Sequence, residues 1–223
     1  MNTVLITGAN RGIGLALAQQ FTARGDHVVG VCRHGSDALA ATGARMEAGI
    51  DVTDDAALAA LAQRLHDVRI DTLVLNAGIL AREKLGTIDM AGFDSMRRQF
   101  EVNALGPLRV AQSLRDLLAE GAKVGIITSR MGSVADNGSG GAYGYRASKA
   151  AVNAIGKSLA VDLKPRGIAV FLLHPGYVAT DMVGGTGDVT PAQAATQLIE
   201  RLDAMGLAET GTFWHANGTP LPW

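Results

Sequence analysis

Tyr145 and Lys149 are the residues of this sequence best suited to moving a proton, and they lie four positions apart. The surrounding segment has apolar residues at helical spacing, so the two side chains would share one face of a helix. A free phenol has a pKa of about 10, and a nearby ammonium group favours the phenolate and lowers that pKa. The pair therefore predicts an acid/base group, although any helix can carry a tyrosine and a lysine at this spacing by chance.

A hydroxyl side chain follows an apolar, strand-like run earlier in the chain. Ser129 comes directly after Lys123–Thr128 and 16 residues before Tyr145. Open α/β sheets bind ligands at the carboxyl ends of their strands, where this hydroxyl can donate a hydrogen bond to a substrate carbonyl oxygen. A turn or a helix cap is the alternative role for Ser129. Ser133 is a second candidate for the carbonyl contact.

A glycine-rich segment near the start of the chain suits phosphate binding. Residues 7–14, TGANRGIG, follow the first strand-like run and open a helical pattern. Glycines at these positions permit a tight turn and let backbone N–H groups and a helix N-terminus approach a pyrophosphate. The spacing differs from the common G-x-G-x-x-G fingerprint, so a glycine-rich turn that binds nothing is the alternative. The predicted dinucleotide contacts are Gly8, Asn10, Arg11, Gly12, Ile13 and Gly14.

The residue after the second strand-like run bears on the choice of dinucleotide. An NAD site usually has an acidic residue there, which accepts a hydrogen bond from the ribose 2′-hydroxyl. This sequence has Arg33 instead, and a guanidinium group can bind a 2′-phosphate, with Arg11 adding a second positive charge. Asp26 and Asp37 lie too early and too late to take the acidic role. NADP is therefore favoured over NAD, unless both arginines are simply solvated.

Strand-like and helical segments alternate from end to end, and these elements must position the residues above. Apolar residues share one helix face within 13–21, 58–65 and Tyr143–Lys164. Several strand-like runs are almost continuously apolar, which is typical of a parallel sheet covered by helices on both faces. We therefore predict one α/β domain over residues 1–223, a doubly wound Rossmann fold of about seven parallel strands. The candidate strands are Thr3–Thr7, His27–Cys32, Ala48–Val52, Thr72–Leu75, Lys123–Thr128, Ile168–Leu173 and Gly211–His215.

Composition and charge argue against several classes of protein. The net charge is −1 with no long run of one sign, which disfavours a nucleic-acid partner. Cys32 is the only cysteine, so no intrachain disulfide can form and no metal site is expected. No segment approaches the run of about 18 apolar residues that a membrane span needs. The N-terminus also lacks a signal-peptide pattern, so we expect a cytoplasmic protein without a membrane partner.

The motifs in this order resemble the short-chain dehydrogenase/reductase family along essentially the whole chain. Their combined spacing is much more specific than any one of them. The stretch Ile127–Leu163 and the C-terminal residues resemble the C-factor/sniffer-like carbonyl reductase branch. The motifs that carry the resemblance are Thr7-Gly8-x-x-x-Gly12-Ile13-Gly14, Asp51-Val52, Asn76-Ala77-Gly78, Asn103, Ser129, Tyr145-x-x-x-Lys149 and Pro175-Gly176.

The resemblance implies roles on the adenosine side of an NADP(H) site. Asp51 would accept a hydrogen bond from the adenine amino group, with Val52 beside it. Asn76, Ala77 and Gly78 would line the adenosine ribose side and steady the central strand. A plain turn is the alternative for this second motif.

The resemblance also implies roles around the nicotinamide. Lys149 would hold the nicotinamide ribose, and Asn103 would anchor a water that links this lysine to solvent. A helix kink helped by Pro107 is the alternative for Asn103. The remaining implied cofactor contacts are Tyr145, Pro175, Gly176, Val178 and Thr180.

The chain departs from the family pattern in the segments that would shape the substrate pocket. The Ser129–Tyr145 loop is longer than usual, which could reshape the pocket wall or weaken the assignment of Ser129. The expected lid, Met182–Val189, has three glycines and little apolar surface, so a small or loosely held substrate is expected.

The leading interpretation is an NADPH-dependent carbonyl reductase of small substrates. A dinucleotide-binding signalling or scaffold protein of the C-factor type, and an NAD-dependent alcohol dehydrogenase, are the alternatives. The helical regions 102–118 and 143–164 offer faces on which two copies could pair as a dimer, although the same faces also serve the core.

Overall fold

The computed structural model describes residues 1–223 as seven strands that alternate with seven helices. Short 3-10 turns and one π-helical turn connect them. No helix is long and apolar enough to cross a membrane. The strands are β1 Thr3–Thr7, β2 His27–Val31, β3 Arg45–Glu47, β4 Ile70–Leu75, β5 Leu118–Ile127, β6 Ala169–His174 and β7 Thr212–His215. The helices are α1 Gly12–Ala23, α2 Asp37–Ala40, α3 Asp55–Arg64, α4 Met90–Phe100, α5 Gly106–Leu114, α6 Tyr143–Leu163 and α7 Pro191–Ala204.

All seven strands form one parallel sheet in the order β3-β2-β1-β4-β5-β6-β7. The chain crosses from one half of the sheet to the other between β3 and β4, so β1 and β4 are neighbours at the switch point. Doubly wound sheets bind ligands in the crevice that opens there, beyond the carboxyl ends of the strands. The predicted fold class is confirmed.

The apolar core lies in two layers, one on each face of the sheet. Leu58 and Leu61 of α3 are fully buried on one face. Leu17 and Phe21 of α1, with Leu198 of α7, are buried on the other. Each such side chain contributes about 1.5–3 kcal/mol on burial. The strands are near-continuously apolar because both of their faces meet helices.

The third strand does not lie where the sequence pattern predicts it. The segment Ala48–Val52 was expected to be a strand, but β3 is Arg45–Glu47. Gly49 has a φ of +80°, which interrupts the extended backbone. Ile50 and Val52 are buried all the same, because they pack beneath the end of the sheet as loop residues. The apolar residues of this segment resemble a strand in the sequence because they are buried, although they form no strand pairing.

Helix α6 has the bounds that its periodicity predicted, to within one residue. Its first residues lack a side-chain cap of their own, since the N-cap residue is Ala142 at a φ of +47°. The carboxylate of Glu83 takes that role from a distant loop, accepting the Gly144 N–H at 3.0 Å. A carboxylate at this end also interacts favourably with the helix dipole. The loop after β4 is thereby fixed against the first turn of α6.

A short 3-10 turn, Arg130–Gly132, packs directly on the backbone of α6. A Cβ atom added to Gly132 would lie 2.6 Å from the carbonyl carbon of Lys149. No real side chain approaches backbone so closely, so glycine is required for this contact. The contact holds Ser129, which precedes the turn, in a fixed position relative to Lys149.

We expect Gly132→Ala to lower the free energy of unfolding by about 1–3 kcal/mol, because the turn and α6 must separate. Gly138→Ala is the matched control, since a Cβ atom there meets nothing within 4 Å. Urea denaturation of both variants tests this. Equal stability of the two variants would show that the contact is not tight.

Candidate active site

A single long cleft of about 910 Å³ runs along the carboxyl ends of the strands. Its size is within the usual range for ligand sites, about 300–1,000 Å³. The Gly-rich turn after β1 and the residues after β2 form one end, and Ser129, Tyr145 and Lys149 lie at the other. Most candidate residues from distant parts of the sequence therefore line one cavity, as the convergence of parallel strand ends predicts, whereas Gly14, Asn103 and Ser133 do not line it.

The Gly-rich turn needs glycine at particular positions. Gly8 has a φ of +68° and Gly12 a φ of +55°, which glycine adopts readily. A Cβ atom on Gly14 would lie 2.2 Å from the carbonyl oxygen of Gly8, so the turn closes against the first turn of α1. The N-terminus of α1 faces the cleft without a side-chain cap. Backbone N–H groups at such a terminus are a ready site for a phosphate.

Asn76 fixes this turn from the neighbouring strand. Its Nδ2 donates to the carbonyl oxygens of Thr7 at 3.0 Å and Gly8 at 3.3 Å. The Thr7 hydroxyl in turn accepts the backbone N–H groups of Asn76 at 3.0 Å and Ala77 at 3.1 Å. Gly78 lies farther along the cleft, where an added Cβ would come within 3.8 Å of the Lys149 Nζ atom. The motif thus joins β1 to β4 as well as lining the cleft.

Asp51 and two arginines form the rim at the adenosine end. The Arg33 Nη1 atom is 3.9 Å from the Asp51 carboxylate, and Arg98 Nη2 is 3.2 Å from it. Burial raises the pKa of Asp51, but hydrogen bonds from Thr53 and the charge of Arg98 outweigh it and hold the pKa below its usual value. Arg33 is half exposed, as expected for a residue at the rim. The sequence argument missed Arg98, which is distant in the chain on α4.

Arg11 lies at the Gly-rich turn and pairs with an acidic residue from a distant segment. Its guanidinium is 3.6 Å from the carboxylate of Asp181, which belongs to the segment after β6. Both side chains are largely exposed, so this ion pair is weak. Thr180 lies beside the same turn, and a Cβ atom on Gly12 would contact its methyl group at 3.4 Å. The segment after β6 therefore lies over the Gly-rich turn.

The nicotinamide-side candidates follow β6 directly. Gly176 turns the chain with a φ of +92°, directly after Pro175, and Val178 is buried. Val178 pairs with Val189, and Tyr177 closes the intervening loop through a contact of 2.5 Å with the Thr186 hydroxyl. Tyr177 lines the cleft and was not singled out by the sequence argument.

Tyr145 and Ser129 meet at the inner end of the cleft. Burial raises the pKa of the Tyr145 phenol, and the Ser129 side chain and the positive charge of Arg82 oppose that rise. The phenol is consequently protonated at neutral pH. Ser129 also accepts the Met131 N–H at 3.1 Å, so it caps the 3-10 turn as well as facing Tyr145.

Lys149 does not make the net pKa shift of Tyr145 a downward one, because burial of the phenol outweighs the groups that oppose it. The Lys149 ammonium donates to the Ile127 carbonyl oxygen at 2.8 Å and is 5.8 Å from the centre of the Tyr145 ring. Burial lowers the pKa of Lys149 itself to about 8. Desolvation is the largest cause of the pKa shift at both Tyr145 and Lys149, and it cannot be seen in the spacing of the two residues.

Asn103 lies in a π-helical turn, Glu101–Leu105, between α4 and α5. Its side-chain oxygen accepts the Ile79 N–H at 2.8 Å. Its Nδ2 donates to the Ile79 carbonyl oxygen at 2.8 Å and to the Ser148 hydroxyl at 3.0 Å. Asn103 therefore ties the strand-β4 loop to α6 beside Lys149.

Ser133, the second hydroxyl candidate, is engaged elsewhere. Its Oγ donates to the Trp223 carbonyl oxygen at 3.0 Å and accepts the Asp136 N–H at 3.1 Å. Trp223 stacks on Phe213 of β7. The contacts of Ser133 are thus structural, and they tie the long loop before α6 to the C-terminal segment.

His174, at the end of β6, is a further cleft residue that the sequence argument missed. Its ring packs edge-on against His215, with the ring centres 4.9 Å apart, and its Nδ1 has no hydrogen-bond partner. Burial, together with the positive charges nearby, lowers its pKa to about 3. His174 is therefore neutral at ordinary pH. Its position next to Pro175-Gly176 was the available signal.

Comparison with known proteins supports the resemblance seen in the sequence. The sequence pattern of the short chain dehydrogenase family matches residues 2–191. A 1-hydroxy-2-glutathionyl-2-methyl-3-butene dehydrogenase of Rhodococcus sp. AD45 is 44% identical over the full length of both chains. The C-signal protein of Myxococcus xanthus is 41% identical over 69% of this chain and 93% of that protein.

Two solved structures share the whole fold. The carbonyl reductase Sniffer of Drosophila melanogaster has a TM-score of 0.90 and 30% identity, with all of both chains covered. An NADPH-bound carbonyl reductase from chicken fatty liver also has a TM-score of 0.90, with 28% identity over 100% of this chain and 99% of that one.

Burying Lys149 should make the stability of the protein depend on pH. Its pKa is about 8 in the folded protein and about 10.4 in an unfolded chain, so the unfolded state binds more protons between these values. The free energy of unfolding therefore gains from this group as the pH rises from about 8 towards 10. Lys149→Met lacks this pH-dependent contribution. The free energy of unfolding of the variant minus that of the native protein should therefore be more positive at pH 7 than at pH 10.

Urea denaturation between pH 7 and pH 10 measures this difference. Lys157→Met, at an exposed lysine of the same helix, is the control and should show no such trend. A pH-independent difference for Lys149→Met would mean that the Lys149 pKa is not lowered.

Proposed function

The chain belongs to the short-chain dehydrogenase family and is an oxidoreductase, and on that basis we propose that it transfers a hydride between NADP(H) and a small carbonyl or alcohol. The observation that carries this proposal is the meeting of Ser129, Tyr145 and Lys149 at the inner end of the cleft. The protonated form of Tyr145 is the one that can act as a general acid in carbonyl reduction.

The residues of the cleft fit a dinucleotide. The Gly-rich turn after β1 lines the cleft, and the N-terminus of α1, which has no side-chain cap, suits the pyrophosphate. When bound, the nicotinamide gives a hydride to a carbonyl carbon or accepts one from an alcohol. We propose that the adenosine part is held by Arg33, Asp51, Val52, Asn76, Ala77 and Gly78, and the nicotinamide part by Tyr145, Lys149, Pro175, Gly176, Val178 and Thr180. Asn10, Arg11 and Ile13 complete the proposed site around the pyrophosphate.

The chemistry of the chain's own residues is general acid catalysis. Ser129 donates a hydrogen bond to the substrate oxygen and orients it towards the phenol. Tyr145 gives its proton to that oxygen as negative charge develops there. The Lys149 ammonium stabilises the phenolate that remains, at a distance that its buried position fixes. Asn103 holds the backbone beside Lys149, so we propose that it supports return of the proton from solvent.

A small substrate fits the segment that covers this end. The lid residues Met182–Val189 include three glycines, and Tyr177 fastens the lid through Thr186. The Rhodococcus relative is named for an alcohol that carries a glutathionyl group on the adjacent carbon. A substrate screen should therefore contain glutathione-conjugated alcohols beside simple aldehydes, ketones and diketones, each with NADPH or NADP and with NADH or NAD.

Signalling with little turnover is the second candidate function, and the match to the C-signal protein favours it. The two functions differ in what they require of Tyr145. A dinucleotide-binding scaffold needs no phenol aligned with Ser129, whereas a reductase does. Absence of turnover across the screen, with NADPH still bound, would favour the scaffold.

Tyr145→Phe should lower kcat by at least about 100-fold, because the proton donor is lost. NADPH binding should be nearly unchanged, since the ring still fills its place. Steady-state kinetics and fluorescence titration of NADPH measure the two effects. Tyr143→Phe is the matched control, because Tyr143 lies on the same helix and lacks a place in the cleft. Near-normal turnover by Tyr145→Phe would rule out the assignment.

Arg33 should determine the preference for NADPH. One charge-assisted contact contributes about 1.5–3 kcal/mol, or roughly 10- to 150-fold in affinity. We expect at least about a tenfold preference for NADPH in kcat/KM, diminishing with added salt because Arg33 is at the rim. Arg33→Asp should erase or invert it, mainly through NADPH binding.

Arg97→Asp reverses a charge outside the cleft and serves as the control. Equal use of both cofactors by the native protein would show that Arg33 and Arg11 are ordinary surface charges.

A further inference from the structure

Three arginines, Arg82, Arg130 and Arg146, line the substrate end of the cleft. This concentration is local, since the whole chain has a net charge of −1. Apart from Asp51 at the adenosine end, the acidic residues that line the cleft are Asp136 and Asp181. Each of these two is already paired, Asp136 with Arg130 and Asp181 with Arg11. The positive charges of Arg82 and Arg146 are therefore left without a carboxylate partner.

Arg146 has a structural role beside its charge. Its Nε donates to the Gly141 carbonyl oxygen at 3.2 Å, and its Nη2 donates to the Ser139 hydroxyl at 2.7 Å. These bonds hold the long loop before α6 against the helix. All of the acceptors are neutral, so the guanidinium charge stays uncompensated one residue from Tyr145.

Arg82 has no such structural role. Its side chain is exposed and forms no hydrogen bond or ion pair within the protein, and its positive charge reaches the Tyr145 phenol. The backbone beside it is nonetheless fixed, because Glu83 caps α6 and its carbonyl oxygen accepts the Ala142 N–H at 2.9 Å. The fold thus places the unpaired guanidinium group of Arg82 in the cleft that leads to the Tyr145 phenol.

We propose that the substrate carries an anionic group, of which a carboxylate is the simplest, and that Arg82 binds it with help from the field of Arg146. This inference rests on the proposed function, since the anion would lie on the carbonyl or alcohol substrate. Guanidinium groups bind carboxylates through two parallel hydrogen bonds, which orients the ligand as well as attracting it. The carbonyl would then be directed towards Ser129 and Tyr145.

The test compares acids with their neutral methyl esters. The pairs are 4-carboxybenzaldehyde with methyl 4-formylbenzoate, and levulinate with methyl levulinate, each with saturating NADPH. We expect the native protein to prefer the acid in kcat/KM by about tenfold, as one charge-assisted contact provides. Arg82→Gln should remove the preference through the KM of the acid, and Arg82→Glu should invert it. The kcat/KM of each methyl ester should change by less than about twofold in both Arg82 variants, because the ester has no charge for Arg82 to bind.

Lys84→Gln is the matched control, because it removes an equal charge two residues away, outside the cleft. It should leave the acid preference intact. Thermal denaturation of all variants checks that the Glu83 cap is undisturbed. If acid and ester are used equally, or if Arg82→Gln changes both alike, the inference is overturned while the reductase function stands.

Ligand binding separates the inference from the function itself. Calorimetric titration with benzoate and with benzamide, in the presence of NADPH, needs no turnover. Benzoate binding that is stronger than benzamide binding and is lost in Arg82→Gln supports the anion site even if no carbonyl is reduced. Benzoate binding that Arg82→Gln leaves unchanged overturns the inference.

Discussion

The hydrogen bond from the Lys149 ammonium to the Ile127 carbonyl oxygen is the contact on which the arrangement of the cleft depends. It joins α6 to the end of β5 and fixes the helix rotation that directs Tyr145 towards Ser129. A buried cation is unfavourable unless its donors are used, so the lysine cannot swing away without losing this bond. Gly132 adds a second restraint by bringing the turn after Ser129 onto the same backbone. The relative positions of Ser129, Tyr145 and Lys149 therefore depend on the hydrogen bond of the Lys149 ammonium and on the packing of Gly132 against α6.

Much of the fold followed from sequence pattern because the parallel sheet is buried on both faces. Strands such as β1 and β6 have runs of buried apolar residues, and α6 shows helical spacing over most of its length. The pattern failed at Ala48–Val52, where Ile50 and Val52 are buried in a loop. Apolar character reports burial, whereas a strand also needs a hydrogen-bonded partner, and only the three-dimensional pairing of β2 with Arg45–Glu47 decides that.

The candidate site was predictable only in part, and for a related reason. Types and spacing pointed to Tyr145, Lys149 and Ser129, because each follows or lies within a recognisable element. They gave no sign that burial would raise the pKa of the phenol, since desolvation depends on the surrounding packing. Arg98 and Arg82 were missed because neither belongs to a motif, and only the folded chain brings Arg98 to Asp51 and Arg82 to the cleft. Long side chains that cross between elements have no local signature.

His174 gives the molecule a sensitivity to acid. The pKa of its ring is about 3 in the folded protein, so the ring stays neutral until the pH approaches that value. A histidine in an unfolded chain takes up a proton near pH 6.5. Between these values only the unfolded chain binds that proton, so acidification draws the equilibrium towards unfolding. The unpartnered imidazole of His174 therefore makes the folded protein less stable as the solution becomes more acidic.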